Sequence, residues 1–437
     1  MSNPLLRDLQ ELVNANILTQ DTADKIQQYY RNKKERPDGR FSIVLGFLGA
    51  LLVGSGIVLL VAHNWDEMPR TVQTVFAFLP LAIGHALCLF TLLKKSDNVA
   101  WRESSSVILF FAVASSMALV SQIYHITGTL EGFILNWLLL TVPLVYIMRS
   151  SLVSLLAIAC ATWYAMLIGY SGIFSSTRTQ FPYGYVGFLL IILPHYYQYF
   201  KGNRNSNFFH LHNWFLVFSI TLALGAFADK SEGLYEWIFI GYCTLFSIYY
   251  IFGQSIYFRE NRLFLNPFII AGILGPIIIF LIWSYEGIWE SLQGSTTSYF
   301  KDMFRSGFFY ISSMLLLIHI YLSLKFSKGE NITFDPMRVT VYVLMACVLL
   351  FARVPLIGLL ITNGWIPVIA LFFIRRGAIR DHLGILNFGL LVIASLALLR
   401  FFDDSIGFIW RGLFFLTTGI SFFLANYLLL KKRRSVA

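Results

Sequence analysis
Beyond residue 40 the chain repeats one pattern: a long apolar run, a short polar break, then another run. A helix needs about 20 mostly apolar residues to cross a bilayer. Such runs occur at 41–63, 71–93, 105–124, 133–148, 151–170, 182–200, 209–228, 234–254, 264–284, 306–325, 339–353, 355–374, 383–401 and 406–430. They predict about 14 spans. The pair 339–353 and 355–374 is interrupted by Arg353, Pro355 and Asn363-Gly364, so these 36 residues hold two short spans or broken half-helices. Most breaks are short, which makes successive helices antiparallel neighbours. The longest, 285–305, contains Trp289 and is expected to carry a short interfacial helix.

The first forty residues follow a different pattern. Asn3 caps a helix with Pro4 at its first position, and Leu5, Leu9, Leu12 and Val13 share its face. Asn14-Ala15-Asn16 breaks it. Thr19 then caps a second helix with Asp21 in its first turn and Ala23, Ile26 and Tyr30 along its apolar stripe. The expected organisation is a helical hairpin over 1–40, too small for a core of its own, and a membrane bundle over 41–434. The first apolar run begins at Phe41 and is too long for a cleaved signal, so it reads as a first span.

Composition agrees. Hydrophobic residues make up 57% of the 437 and charged residues 13%, with a mean hydropathy of +0.68. Ordinary soluble domains carry about 25% charge. A soluble globular enzyme, a disordered chain and a disulfide scaffold are excluded. The fold class expected is all-α, a polytopic transmembrane helix bundle.

The net charge of +10 would suggest nucleic acid in a soluble protein, but short cytoplasmic loops collect Lys and Arg. With the N-terminus inside and strict alternation, 25 of the 33 basic residues fall on the inner side. Both termini are therefore expected in the cytoplasm, with the lipid bilayer as partner and no nucleic acid. Cys88, Cys160, Cys243 and Cys347 stand singly in apolar runs with no CxxC pair, so no metal and no cofactor are expected.

Polar residues at span ends supply the candidate site. The first span ends in His63-Asn64-Trp65-Asp66-Glu67-Met68-Pro69-Arg70, where Asp66 and Arg70 could pair. Gln122, Tyr124, His125, Glu131 and Asn136 bracket the next outer turn. Either cluster serves as a hydrogen-bonded corner or as a ligand site. Arg353, set in apolar sequence, needs water or a partner, for which Asp66, Glu131, Asp403 and Asp404 are candidates. Pro194-His195-Tyr196-Tyr197 reads as an aromatic belt, and Arg400 as a partner of Asp403-Asp404. His210 and His212 lack a third ligand at workable spacing for a metal. Metalloprotease, nucleophile-elbow and phosphate-loop motifs are missing, so no catalytic residue is assigned.

Ile17-Leu18-Thr19, Ala23-Asp24-Lys25-Ile26, Leu45-Gly46, Leu60-Val61-Ala62-His63-Asn64-Trp65-Asp66 and Ser121-Gln122-Ile123-Tyr124-His125-Ile126-Thr127-Gly128 followed by Asn136-Trp137 form a recognisable set. Over residues 1 to about 165 the chain resembles the bacterial predicted membrane proteins of domain-of-unknown-function family 2157. The resemblance implies a bacterial cytoplasmic membrane and no activity. Three functions stay open: a transporter or flippase-like carrier with an outward-facing polar pocket, a scaffold or sensor subunit docking a protein through residues 1–40, and an intramembrane transferase or hydrolase using His63 or His125. The topology predicts that single cysteines at Lys95 and Lys432 react with an impermeant thiol reagent from the same membrane face. Labelling from opposite faces would refute the alternation.

Overall fold
The structure, a computed structural model, describes residues 12–13, 15, 17–26, 65–170, 181–202, 204–228, 235–255, 257–258, 263–292, 303–304, 306–327, 334–351, 354–402 and short stretches between 407 and 423. It divides into two units, Met1–Ala77 and Phe78–Ala437. In the first, residues 20–26 are helical and a 3-10 turn spans Trp65–Glu67. Gln73 Nε2 donates to the Trp65 carbonyl at 2.6 Å, tying that turn to the helix that begins at Arg70.

The elements in order are α1 (Arg70–Lys94), α2 (Val99–Ile123), α3 (Leu130–Thr141), α4 (Pro143–Ile147), α5 (Ser151–Gly169), α6 (Tyr183–Gly202), α7 (Asn207–Ala226), α8 (Tyr235–Gly253), α9 (Pro267–Trp283), α10 (Glu286–Ser291), α11 (Gly307–Ser327), α12 (Pro336–Phe351), α13 (Pro355–Ile379) and α14 (Leu383–Phe401). No strand occurs among the described residues. Each apolar run from 71–93 through 383–401 meets one helix, with α3 and α4 sharing 133–148. Run 41–63 lies outside the described residues, as does the Gly46-Ala50-Gly54 stretch within it. Run 339–374 is two continuous helices, because Pro355 cannot extend α12 but suits the first turn of α13.

Among the described residues nine helices are long and apolar enough to cross a membrane, counting α3 and α4 as one. The helices α9 and α12 are apolar but shorter, and α6 is long enough but more polar. The starts follow local chemistry. Asn98, Thr129, Ser150, Ser206 and Asn266 each accept a backbone N–H of the first turn. The outer faces are apolar, as Leu140, Leu317, Leu324 and Leu350 illustrate, each more than half exposed. Such a surface needs lipid rather than water.

Two cores fill the second unit. One joins α2, α3, α5 and α6 around Phe110, Leu138, Ile158 and Phe188. The other joins α8, α9 and α11–α14 around Tyr250, Phe280, Leu344 and Ile369. Helix α7 belongs to both, giving Ala223 and Ala226 to the first and Phe209 and Val217 to the second. All four cysteines are buried and unbridged. The expected interfacial helix exists as α10, but Trp289 is fully buried, donating to the Trp283 carbonyl at 2.8 Å.

Helices α8 and α9 pack backbone to backbone. A Cβ at Gly272 would lie 2.4 Å from the Tyr250 nitrogen. Gly272→Val should therefore lower unfolding free energy by about 1–3 kcal/mol. Gly364→Ala, where a Cβ meets nothing within 4 Å, should leave it unchanged or slightly raised. Thermal unfolding in detergent reads both.

Candidate functional site
The polar residues singled out from sequence are distributed as follows. Asp66 lies in the 3-10 turn Trp65–Glu67, and Arg70 is exposed at the start of α1. Gln122 and Tyr124 are exposed at the end of α2, Glu131 is half-buried in the first turn of α3, and Asn136 is exposed on α3. His63, Asn64, Arg353, Asp403 and Asp404 lie outside the described residues. His125 has a left-handed backbone, φ 52°. Around it, Ile126 N donates to the Ser121 carbonyl at 2.9 Å and His125 N to the Gln122 carbonyl at 3.4 Å. That is the paired bonding that closes a helix with a left-handed residue, a position usually held by glycine. Arg149 and Asp381 close α4 and α13 with the same backbone sign.

A second constellation is assembled by the fold alone. The carboxylate of Glu103, on α2, is buried. It accepts Ser150 Oγ–H at 2.5 Å, Ser151 N–H at 2.8 Å and Leu152 N–H at 2.9 Å. A negative charge thus sits on the N-terminus of α5, where the helix dipole favours it. Among the described residues no Lys or Arg lies within ion-pair distance of Glu103.

The same helix start continues the cluster. Ser151 Oγ shares a hydrogen bond of 2.5 Å with Tyr199 Oη and lies 3.5 Å from His195 Nε2, both on α6. One turn further, Ser154 Oγ lies 3.0 Å from His212 Nε2, on α7. His212 Nδ1 lies 2.7 Å from the Phe208 carbonyl, which can only accept. In the neutral ring that fixes Nδ1 as donor and leaves Nε2 to accept from Ser154. The two imidazoles stand 5.9 Å apart, centre to centre, and Tyr199 stacks on His212 at 6.0 Å. Asn213 Oδ1 accepts from Tyr196 Oη at 2.7 Å, while Asn213 Nδ2 and His210 Nδ1 are buried without a hydrogen-bond partner.

Glu103, His195 and His212 stand four, seven and five residues from the helix ends at Val99, Gly202 and Asn207. A rise of about 1.5 Å per residue puts them roughly 6–10 Å along their helices from those ends. The expected aromatic belt at 194–197 thus splits: Tyr197 faces outward, while His195 is buried and Tyr196 turns to α7. No group of three or more His, Cys, Asp or Glu among the described residues is arranged to hold a metal.

Two further polar groups sit elsewhere. Arg400 Nη2 donates to Ser284 Oγ at 2.8 Å and its guanidinium covers the Tyr285 ring at 4.6 Å. Tyr250 Oη donates to Asp335 Oδ2 at 2.8 Å beside Arg338.

If Glu103 anchors α5 in this way, Glu103→Ala leaves three buried donors without an acceptor. A loss of about 1–3 kcal/mol or more is expected. Amide exchange should accelerate at Ser151 and Leu152, read by mass spectrometry, while Glu103→Gln, which keeps an acceptor oxygen, should show a smaller change.

No curated protein and no solved structure matches the chain. Residues 10–154, which hold α1 to α4 and the Glu103 anchor, match the family model described as predicted membrane protein, DUF2157.

Proposed function
We propose that the protein is a carrier of the transporter or flippase-like kind and that the Glu103–His195–His212 cluster takes up and releases a proton. The supporting observation is the burial of a carboxylate and two imidazoles in one serine- and tyrosine-linked cluster across α2, α5, α6 and α7. Ionisable groups inside membranes are costly and concentrate on ion and proton pathways. Helix capping alone does not require Glu103, because Ser150 Oγ already accepts Val153 N–H at 3.2 Å. Nor does it require His195 or His212.

Helix α2 links the two polar ends. Glu103 lies near its start and Gln122 near its end, and its 25 residues span about 37 Å. On this reading Gln122 and His125 line a polar pocket at one end of α2 and Glu103 belongs to a gate at the other. The family resemblance supports a bacterial cytoplasmic membrane location and the basic-residue asymmetry supports cytoplasmic termini, leaving residues 1–40 to meet a protein partner.

Proteoliposomes loaded with a pH-sensitive dye test the proposal. After an acid jump under a clamped potential, wild-type vesicles should equilibrate faster than protein-free ones. Glu103→Gln and His195→Gln should each slow the protein-dependent rate by about tenfold, or about 1.4 kcal/mol of barrier. Wild-type vesicles no faster than empty ones would overturn the reading and favour a scaffold.

A further inference from the structure
The first amides of a helix have no carbonyl a turn before them to bond. In α5 these are Ser151 and Leu152, and both donate to Glu103. Ser151 N–H reaches Oε1 at 2.8 Å and Leu152 N–H reaches Oε2 at 2.9 Å. Ser150 Oγ–H also donates to Oε2, while Ser150 Oγ caps Val153 N–H. The start of α5 therefore depends on one carboxylate, brought to it from α2. Glu103 stands about 6 Å from the start of α2 and is 6% exposed, so a proton from water reaches it without crossing either core.

The ionised carboxylate only accepts hydrogen bonds. A proton taken from water makes one of its oxygens a hydroxyl, which donates. On Oε1 that proton displaces Ser151 N–H; on Oε2 it displaces Ser150 Oγ–H and Leu152 N–H. Either way a buried donor loses its acceptor, and the helix N-terminus loses the negative charge its dipole favours. The titratable and charged groups around the site are Arg102 beside Glu103, Cys88 of α1, Tyr146 of α4, Tyr199 and His195 of α6 and His212 of α7. None of these carries a carboxylate. Arg149, ahead of Ser150, is exposed, and Glu131 of α3 lies at the opposite end of α2. The first turns of α5 itself offer only hydroxyls, on Ser151 and Ser154.

Helix α5 is fastened to α7 at three levels. Ser154 Oγ lies 3.0 Å from His212 Nε2, Thr162 Oγ1 lies 2.6 Å from Ser219 Oγ, and Gly169 leaves no room for a Cβ against Ala226. The two helices thus run parallel and in register from start to end. Because α7 gives side chains to both cores, what moves α5 also moves the junction between them.

We infer that Glu103 is a proton switch for helix position: ionised, it pins the start of α5; protonated, it frees α5 and with it α7. The inference rests on the reading above in taking Glu103 as a proton-binding group, and adds what that proton does to the fold.

Hydrogen exchange of the full chain in detergent tests it, read by mass spectrometry between about pH 8 and about pH 4, where ordinary carboxylates titrate. Rates are corrected for the intrinsic pH dependence of amide exchange. On acidification wild type should lose about tenfold in protection at Ser151 and Leu152, the effect of one charge-assisted hydrogen bond. The first turn of α7 should lose less, and α12, in the other core, nothing. Glu103→Gln, which cannot titrate, should show the acid-state rates throughout. Unchanged wild-type protection across that range overturns the inference. So does a pH response that survives in Glu103→Gln, because His195 or His212 would then carry the titration. Acceleration at α5 with none at α7 overturns the coupling between them. The dye-loaded vesicles separate the two claims: proton flux without the exchange response removes the switch and leaves the carrier reading standing, and the exchange response without flux does the reverse.

Discussion
Hydrocarbon offers no hydrogen bonds, so every polar group carried into the bilayer has to find its partner within the chain. Helices meet that demand for the backbone. Side chains meet it by borrowing from the same helices: Thr91, Thr141, Thr162, Thr244 and Thr340 each donate to the carbonyl four residues back. Larger groups reach across. Trp137 Nε1 donates to the Phe110 carbonyl at 2.8 Å, and Thr362 donates to the Trp283 carbonyl at 3.1 Å. The same demand brings three donors onto Glu103. The demand is not met everywhere: buried atoms of Ser116, Asn213, Trp237, Ser247 and His319 are among those without a hydrogen-bond partner.

Helix α7 is where the two cores meet. Its His212 pairs with Ser154 of α5, its Asn213 with Tyr196 of α6, and its Val217 carbonyl accepts Tyr249 of α8 at 3.4 Å. A displacement of α7 therefore changes contacts in both bundles at once, since packed interiors shift between discrete arrangements rather than deform smoothly. This coupling places the Glu103 cluster beside the element shared by the whole second unit.

Hydropathy located the helices because length and apolarity alone decide what the bilayer accepts. Their starts were not read so finely: the apolar runs open at 105, 133 and 264, whereas Asn98, Thr129 and Asn266 begin the helices at Val99, Leu130 and Pro267, because an N-cap acts through a hydrogen bond within one turn and not through apolarity. The polar clusters divide differently. His125 was visible as a polar residue at a span end, but its left-handed backbone and its place in the closing turn of α2 were not. His195 had the sequence surroundings of a belt residue, and His212 those of an incomplete metal pair. Glu103 sat at the edge of a span among loop charges. The available signal was that all three recur at one membrane end, which alternation of spans already implied.

By itself the amino-acid order determined that this chain is a bundle of membrane helices, roughly where each lies, and which ends of different helices share a face, because these follow from length and from transfer between water and lipid. Only the tertiary structure decided which polar groups meet. Glu103 reaches residues 47 to 49 positions away, and Tyr250 reaches Asp335 across 85. The rotation of each helix about its axis sets such encounters, and that rotation is chosen by packing, as where Gly272 lets α9 lie against Tyr250.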